Sequence, residues 1–199
     1  MATPLANYAI FDGDSLTESG YPVGVLVRVG NGVQILNVSA NGTGHGRQFP
    51  TFDTDAPTIL DPFYSASYHL PVCVFWGGYN NMRTSGDPAV TATTYAAIVD
   101  YCGDRRAVGW KAFVLTMIPS IAATTHANYE TERLSINAQI RANWPTFADG
   151  LVDIGGDGIL GSVAQAGGDY FSTDGIHLRA QGYDRVALLV ANVLSAYGR

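Results

Sequence analysis

Short apolar runs alternate along this chain with longer stretches in which apolar residues recur at helical spacing. The short runs are rich in β-branched and aromatic residues and contain no regular polar positions, which is typical of strands covered on both faces. They predict strands over residues 8–11, 34–38, 71–76, 112–117 and 150–154. The longer stretches predict helices over residues 22–29, 91–107, 128–143 and 180–194, and a helix within residues 51–68 that two prolines break.

This order of elements favours one fold class. Strands that alternate with helices form parallel sheets, because right-handed crossovers place the helices on both faces of the sheet. The chain has 199 residues and shows no repeat, low-complexity tract or linker. We therefore predict a single α/β domain over residues 1–199, a three-layer α/β/α sandwich with a five-stranded, mostly parallel sheet.

The charge balance narrows the classes of partner. Formal net charge is −6, and the 11 lysines and arginines are scattered. Without a basic stripe, nucleic-acid binding and attachment to anionic membranes are disfavoured. No apolar run approaches the roughly 20 residues of a membrane span. The N-terminal segment does not resemble a signal peptide, which leaves a cytoplasmic protein or a secreted one whose leader has been removed. The oligomeric state stays open.

The cysteines and three of the four histidines do not point to a particular kind of site. Cys73 and Cys102 are either two buried thiols or a single disulfide, and the sequence leaves both alternatives open. There is no CxxC pair and no metal-ligand spacing. His45, His69 and His126 have no acidic partner at short spacing, so we expect surface or loop positions for them.

A serine follows the first predicted strand, in the segment DGDSLT at residues 12–17. Ligands gather at the carboxyl ends of parallel strands. At a strand-to-helix turn, Ser15 would expose its hydroxyl group, and its backbone N–H could stabilise an oxyanion. The alternative is a helix cap, because Ser15 and Glu18 have the spacing of a capping box. Asp12 and Asp14 resemble a carboxylate pair, but one turn cannot place them on opposite sides of a glycosidic bond.

An acid and a base lie close together near the last predicted helix, in the segment TDGIHL at residues 173–178. A nucleophilic serine needs a general base, and the base needs an acceptor that fixes its tautomer. Asp174 precedes His177 by three residues, so one turn could supply both groups. The alternative is an Asp-Gly turn followed by an exposed histidine.

These two segments resemble a known family. Residues 13–16 (GDSL) resemble the motif of the SGNH, or GDSL, hydrolases, and residues 174–177 (DGIH) resemble their closing D-x-x-H motif. The resemblance implies the flavodoxin-like SGNH fold, with Ser15 as nucleophile and Asp174 and His177 as its partners. It implies no metal and no organic cofactor.

Two further blocks of the family can be matched. After its second strand the family has a glycine that donates to the oxyanion, and Gly42 has the matching spacing here, although other glycines follow closely. After the third strand the family has G-x-N-D, which corresponds to Gly78-Tyr79-Asn80-Asn81. The resemblance thus implies an oxyanion hole formed by Ser15, Gly42 and Asn80. Asn81 replaces the usual aspartate, so we expect altered loop geometry with the chemistry retained.

The resemblance implies a serine ester hydrolase that forms an acyl-enzyme on Ser15. Because no lid-like apolar insertion separates the blocks, short acyl groups (acetyl to butyryl) are favoured over long chains. One alternative is a carbohydrate O-acetyl esterase acting on acetylated polysaccharide. Trp76, Tyr79, Phe63 and Tyr64 are expected as core or loop anchors, with sugar platforms as the alternative, and His45 and Arg47 are candidates to line the substrate cleft. Another alternative is a non-catalytic binding module that retains the fold. The expected partner is a small-molecule or carbohydrate ester.

Overall fold

A five-stranded parallel sheet forms the centre of the fold. The structure, a computed structural model, describes residues 7–29, 33–39, 47–85 and 87–197. The strands are β1 (Asn7–Gly13), β2 (Val33–Asn37), β3 (Pro71–Trp76), β4 (Lys111–Leu115) and β5 (Gly150–Val152). Their order is β2–β1–β3–β4–β5, and every neighbouring pair is parallel. The predicted α/β class and five-stranded sheet are confirmed, while the single domain over the whole chain stays a prediction.

Helices connect the strands and cover both faces of the sheet. They are α1 (Ser15–Glu18), α2 (Tyr21–Val29), α3 (Thr51–Ile59), α4 (Tyr79–Met82), α5 (Pro88–Val108), α6 (Tyr129–Phe147) and α7 (Ala180–Tyr197). Short 3-10 turns lie at Asp61–Phe63, Ile154–Gly156 and Val163–Gln165. Within the described ranges, none of these helices combines the length and apolar character that crossing a membrane requires.

Several helix boundaries differ from the sequence prediction, and prolines or a cap lie at three of them. α3 contains Pro57 and α6 contains Pro145, and each proline is the third residue from the end of its helix. A proline there removes one backbone hydrogen bond, and α3 continues past its first predicted break while α6 continues past its predicted end at residue 143. α5 begins earlier than predicted because Asp87 caps it by accepting a hydrogen bond from Ala89 N, with Pro88 at the first helical position.

Alternate residues of the strands pack against different helices. In β1, Ala9 and Phe11 belong to the apolar cluster that contains α2 and α7. Tyr8 and Ile10 belong to the cluster formed with α3, α5 and α6. Burial of both faces explains the continuous apolar runs in the strands, and it leaves the carboxyl edge of the sheet as the place where polar loops collect.

The two cysteines lie within the second of these clusters. Cys73 and Cys102 are both free and buried, so the structure bears out buried thiols rather than a disulfide. Burial raises the pKa of Cys102 to about 12. Neither thiol is therefore a nucleophile near neutral pH.

Candidate active site

Ser15 lies at the first position of α1, directly beyond the carboxyl end of β1. The turn needs a glycine, since a Cβ atom on Gly13 would lie 2.3 Å from the carbonyl oxygen of Trp76. Asp14, and not Ser15, caps the helix, because Asp14 Oδ1 accepts a hydrogen bond from Leu16 N at 3.0 Å. The capping-box alternative is therefore wrong, and the Ser15 hydroxyl group does not serve as the helix cap.

The structure brings the three predicted catalytic residues together. His177 Nε2 lies 2.8 Å from Ser15 Oγ, although the two residues are 162 positions apart. On the other side of the ring, His177 Nδ1 lies 2.6 Å from Asp174 Oδ2. A carboxylate, an imidazole and a hydroxyl thus form one hydrogen-bonded chain at the carboxyl edge of the sheet, which is the arrangement that activates a serine.

Asp174 organises its own loop as well as the histidine. Its Oδ1 accepts hydrogen bonds from the backbone N–H groups of Ile176 (2.9 Å) and His177 (3.0 Å). Partial burial acts to raise the pKa of Asp174, but hydrogen bonds from the His177 ring and these N–H groups outweigh it and hold the pKa below its usual range. Asp174 is therefore an ionised acceptor for the imidazole.

A second set of contacts fixes the Asp174–His177 loop to the loop after β4. Gly175 has φ +73, and its carbonyl oxygen accepts hydrogen bonds from Ile121 N at 2.9 Å and from Ser120 Oγ at 3.0 Å. Ser120 Oγ also lies 2.8 Å from Thr125 Oγ1, and Tyr79 OH reaches both hydroxyls. Sequence reasoning missed this network, because single hydroxyl residues in a loop carry no distinctive pattern.

Asn80 lies beside Asp14, at the start of α4. It is buried, and its Nδ2 donates hydrogen bonds to the carbonyl oxygen of Arg47 at 3.0 Å and to Asp14 Oδ2 at 3.4 Å. The preceding Gly78 has φ +105, a conformation that favours glycine. The predicted amide donor is thus next to the residue that precedes Ser15.

Asp14 is a buried carboxyl group in the middle of this site. Burial raises the pKa of Asp14 to about 7, although the hydrogen bond from Leu16 N and the proximity of His177 act to lower it. A small cavity with room for about one water molecule adjoins it. The residues that line this cavity are Asp14, Leu16, Trp76, Gly77, Tyr79, Met117, Ile118 and Tyr129. The carboxyl group that precedes Ser15 therefore has a pKa near neutral pH.

Asn81 explains how the departure from the family motif is accommodated. Its Oδ1 accepts a hydrogen bond from Phe49 N at 3.1 Å, and its Nδ2 donates one to the carbonyl oxygen of Phe49 at 3.2 Å. An aspartate could make the first contact but not the second, because an ionised carboxylate only accepts. Asn81 thus anchors the segment that leads into α3.

The other sequence candidates that the structure describes are either buried or remote from Ser15. Arg47 does not line a cleft, since its side chain is buried and paired with Asp12. Trp76 and Tyr79 are buried in the core, whereas Phe63 and Tyr64 lie before β3, at the opposite edge of the sheet. Gly42 falls outside the described residues, as do Gly44, His45 and Gly46, so their roles stay predictions. Among the described residues, no group of three or more His, Cys, Asp or Glu side chains is arranged to hold a metal ion.

Comparisons with known proteins identify the fold. No family model and no curated protein matches the sequence. A Bacteroides fragilis protein described as an acylhydrolase is similar in structure, with a TM-score of 0.74 and 18% identity, over 97% of this chain and 88% of that chain. A GDSL-like lipase of Bacteroides thetaiotaomicron has a TM-score of 0.67 and 14% identity, over 94% and 86% of the two chains. An acetyl-xylooligosaccharide esterase of a Geobacillus species has a TM-score of 0.67 and 13% identity, over 98% and 96%. The chain therefore has the α/β/α fold of the SGNH (GDSL) hydrolases, the family that its sequence motifs resemble.

Proposed function

We propose that this chain is a serine hydrolase that cleaves carboxylic esters. The observation that carries the proposal is the hydrogen-bonded chain from Asp174 through His177 to Ser15, with distances of 2.6 and 2.8 Å. Both distances are within the reach that proton transfer requires. In this proposal Ser15 is the nucleophile, His177 is the general base and Asp174 holds the imidazole in the tautomer that accepts a proton at Nε2.

The acylation step follows from this geometry. Ser15 Oγ attacks the ester carbonyl carbon while its proton passes to His177 Nε2, and Asp174 stabilises the resulting imidazolium. The carbonyl oxygen becomes an oxyanion, which the backbone N–H of Ser15 and the amide of Asn80 receive. The resemblance adds the N–H of Gly42 as a third donor. Loss of one such donor typically lowers the rate by about 10²–10³-fold.

The remaining steps return the enzyme to its starting state. His177 donates its proton to the leaving alkoxide oxygen, and the carbon–oxygen bond of the ester breaks as the acyl-enzyme forms. A water molecule then attacks the acyl carbon and gives its proton to His177 Nε2. Collapse of the second tetrahedral intermediate releases the carboxylic acid, and the proton returns to Ser15 Oγ.

Short acyl groups, from acetyl to butyryl, are the proposed substrates. The sequence has no apolar insertion of lid size between its motifs, which favours small acyl groups. The names of two similar structures favour a second candidate function, the removal of acetyl groups from carbohydrate, since one is an acetyl xylan esterase and another an acetyl-xylooligosaccharide esterase. Burial of Trp76 and Tyr79 removes two of the aromatic platforms that a sugar could use.

Hydrolysis of p-nitrophenyl esters from acetate to palmitate tests the proposal, with wild type compared with Ser15→Ala. Ser135→Ala, an exposed serine on α6, is the control. We expect turnover that falls with acyl length, is lost in Ser15→Ala and is unchanged in Ser135→Ala. Turnover that persists in Ser15→Ala would refute the mechanism. Faster release of acetate from acetylated xylooligosaccharide than from p-nitrophenyl acetate would favour the second candidate.

A fluorophosphonate probe tests the remaining alternative, a binding module that retains the fold. The probe should label wild type at Ser15 and leave Ser15→Ala unlabelled, because only an activated serine attacks phosphorus. A folded wild-type protein that does not react would favour the binding module.

A further inference from the structure

A buried ion pair lies behind the residues that would bind the oxyanion. Arg47 Nη1 contacts Asp12 Oδ1, and the two side chains are 2% and 0% exposed. Asp12 also accepts hydrogen bonds from the Tyr101 hydroxyl and from Gly13 N, the latter at 2.8 Å. The Arg47 guanidinium lies over the ring of Phe52, 4.7 Å from its centroid. Arg47 Nη2 also lies 3.5 Å from Asp55 Oδ2 on α3, a side chain that is 41% exposed. The Asp12–Arg47 pair itself is buried between the sheet, α3 and α5.

Stability alone does not account for this arrangement. Removing two charges from water costs several kcal/mol per ion, so a buried ion pair is often no more stabilising than apolar side chains of the same volume. Burial raises the pKa of Asp12 even though Arg47, Tyr101 and Gly13 N all act to lower it. Nε of Arg47 is also buried without a hydrogen-bond partner. The best-attested use of such a pair is to fix the position of the chain.

The position that the pair fixes is that of the Arg47 backbone. The carbonyl oxygen of Arg47 accepts a hydrogen bond from Asn80 Nδ2 at 3.0 Å. Because a carbonyl oxygen only accepts, the NH₂ end of the Asn80 amide must face it, which settles the orientation of the amide. The second N–H faces Asp14 Oδ2 at 3.4 Å, a long contact that a substrate oxyanion can replace.

We propose that Arg47 is a positioning residue for ester hydrolysis. The buried Asp12–Arg47 pair holds the Arg47 carbonyl in place, and this carbonyl aims one N–H of Asn80 at the developing oxyanion. The inference rests on the proposed function, and it means that the Asp12–Arg47 pair contributes to the rate of the chemical step.

The chain offers a matched control at the other edge of the sheet. Arg105 Nη2 lies 3.3 Å from Asp61 Oδ2, and their side chains are 4% and 15% exposed. The Arg105 guanidinium lies over the Tyr101 ring, 5.1 Å from its centroid. Arg105 is in the last turn of α5, before β4 begins, so this pair has the same chemistry, lies towards the edge of the sheet opposite Ser15, and approaches Asp12 through Tyr101.

A double-mutant cycle on kcat tests the proposal. Asp12→Asn/Arg47→Met removes both buried charges and leaves Asp55, which is 41% exposed, to solvent. It should lower kcat by about 10- to 10²-fold with a small change in KM, because misplacing a transition-state donor affects the chemical step. Asn80→Ala should lower kcat by about 10²–10³-fold. When the pair is changed in the Asn80→Ala background, its further effect should fall below about twofold.

The control pair separates positioning from stability. Asp61→Asn/Arg105→Met should lower the melting temperature while kcat stays within about twofold of wild type. Equal losses of kcat for the two pairs would overturn the inference. So would an effect of Asp12→Asn/Arg47→Met that is as large in the Asn80→Ala background as in wild type, or an Asn80→Ala enzyme with wild-type kcat.

Two further variants cover a protein that does not fold and separate the role of Arg47 from the proposed function. If Asp12→Asn/Arg47→Met does not fold, Arg47→Lys keeps the charge but loses the planar fork, and it should give a smaller fall in kcat that also vanishes in Asn80→Ala. Ester hydrolysis that persists in Ser15→Ala would refute the proposed function itself. Hydrolysis that depends on Ser15 but shows additive losses would refute only the role of Arg47.

Discussion

Replacing Asp14 by asparagine should flatten the dependence of stability on pH. Asp14 is buried, and its Oδ1 caps α1 through Leu16 N. An asparagine caps helices about as well as an aspartate, so the substitution keeps this contact. It loses the contact between Asp14 Oδ2 and Asn80 Nδ2, which at 3.4 Å is a weak one. The main effect is therefore the removal of a buried group that can become charged.

The pKa of Asp14 sets the size of the effect. Burial raises it from 3.8 to about 7. Between these two values the folded state keeps a proton that the unfolded state has released, so the free energy of unfolding falls as pH rises through this window and levels off above it. A difference of three pKa units corresponds to about 4 kcal/mol. Of this, about 3 kcal/mol should appear between pH 4.5 and 8.

Urea unfolding at a series of pH values from 4.5 to 8 measures this directly. The free energy of unfolding of Asp14→Asn minus that of wild type should grow by about 3 kcal/mol across the range, because contributions from groups that do not interact with Asp14 cancel in the difference. Asp100→Asn, which removes an exposed carboxyl group from α5, is the control. Parallel curves for wild type and Asp14→Asn would refute the reasoning, since Asp14 would then not retain its proton on folding.

Other contacts of the site give three further predictions. Asn81→Asp, which restores the family residue, should lower the free energy of unfolding by about 1–2 kcal/mol in urea titrations, because the carbonyl of Phe49 loses its donor. Gly175→Ala should lower kcat by about 10- to 10²-fold, because its φ is +73 and the new Cβ would lie 2.7 Å from a backbone nitrogen of the β4 loop. Gly103→Ala, inside α5 with open space around it, should leave kcat unchanged and raise the melting temperature. Asp174→Asn should lower kcat by about 10⁴-fold in steady-state assays, because an amide donor facing Nδ1 fixes the wrong histidine tautomer.

Each of these predictions has a clear contrary result. An Asn81→Asp protein as stable as wild type would show that water or a shifted backbone satisfies Phe49. Equal kcat for Gly175→Ala and wild type would show that the loop after β4 does not position the histidine. An Asp174→Asn enzyme that retains most of its activity would show that the imidazole tautomer is set by another group.

Much of the fold could be predicted because buried strands appear in the sequence as continuous apolar runs. β3 lies between β1 and β4 and is covered on both faces, and its predicted bounds, Pro71–Trp76, agree with the structure. The ends of α3 and α6 could not be read in the same way, because a proline costs a helix one backbone hydrogen bond, and the tertiary packing of the helix decides whether it continues past that residue. Strand order depends on long-range pairing, which no local pattern of residues encodes.

Some residues of the candidate site could be predicted from the sequence and others could not. Ser15, Asp174 and His177 could be identified because each lies in a short motif next to the end of a regular element. Arg47 and Ser120 could not, because their contacts join segments that are distant in the sequence. Asn80 donates to the backbone carbonyl oxygen of Arg47. Every residue has such an oxygen, so this contact cannot be predicted from the type of residue at position 47.

The packing of α2 against α7 keeps Ser15 and His177 close together, so the proposed ester hydrolysis depends on this helix–helix contact. A Cβ atom on Gly24 of α2 would lie 2.8 Å from the Cβ of Ala187 of α7, so the two helices are in close contact. Ser15 lies just before α2, and His177 lies just before α7. A local opening that detaches α7 would move His177 away from Ser15 while the sheet stays intact. Under the proposed mechanism, ester hydrolysis would then be lost at a lower denaturant concentration than the global fold.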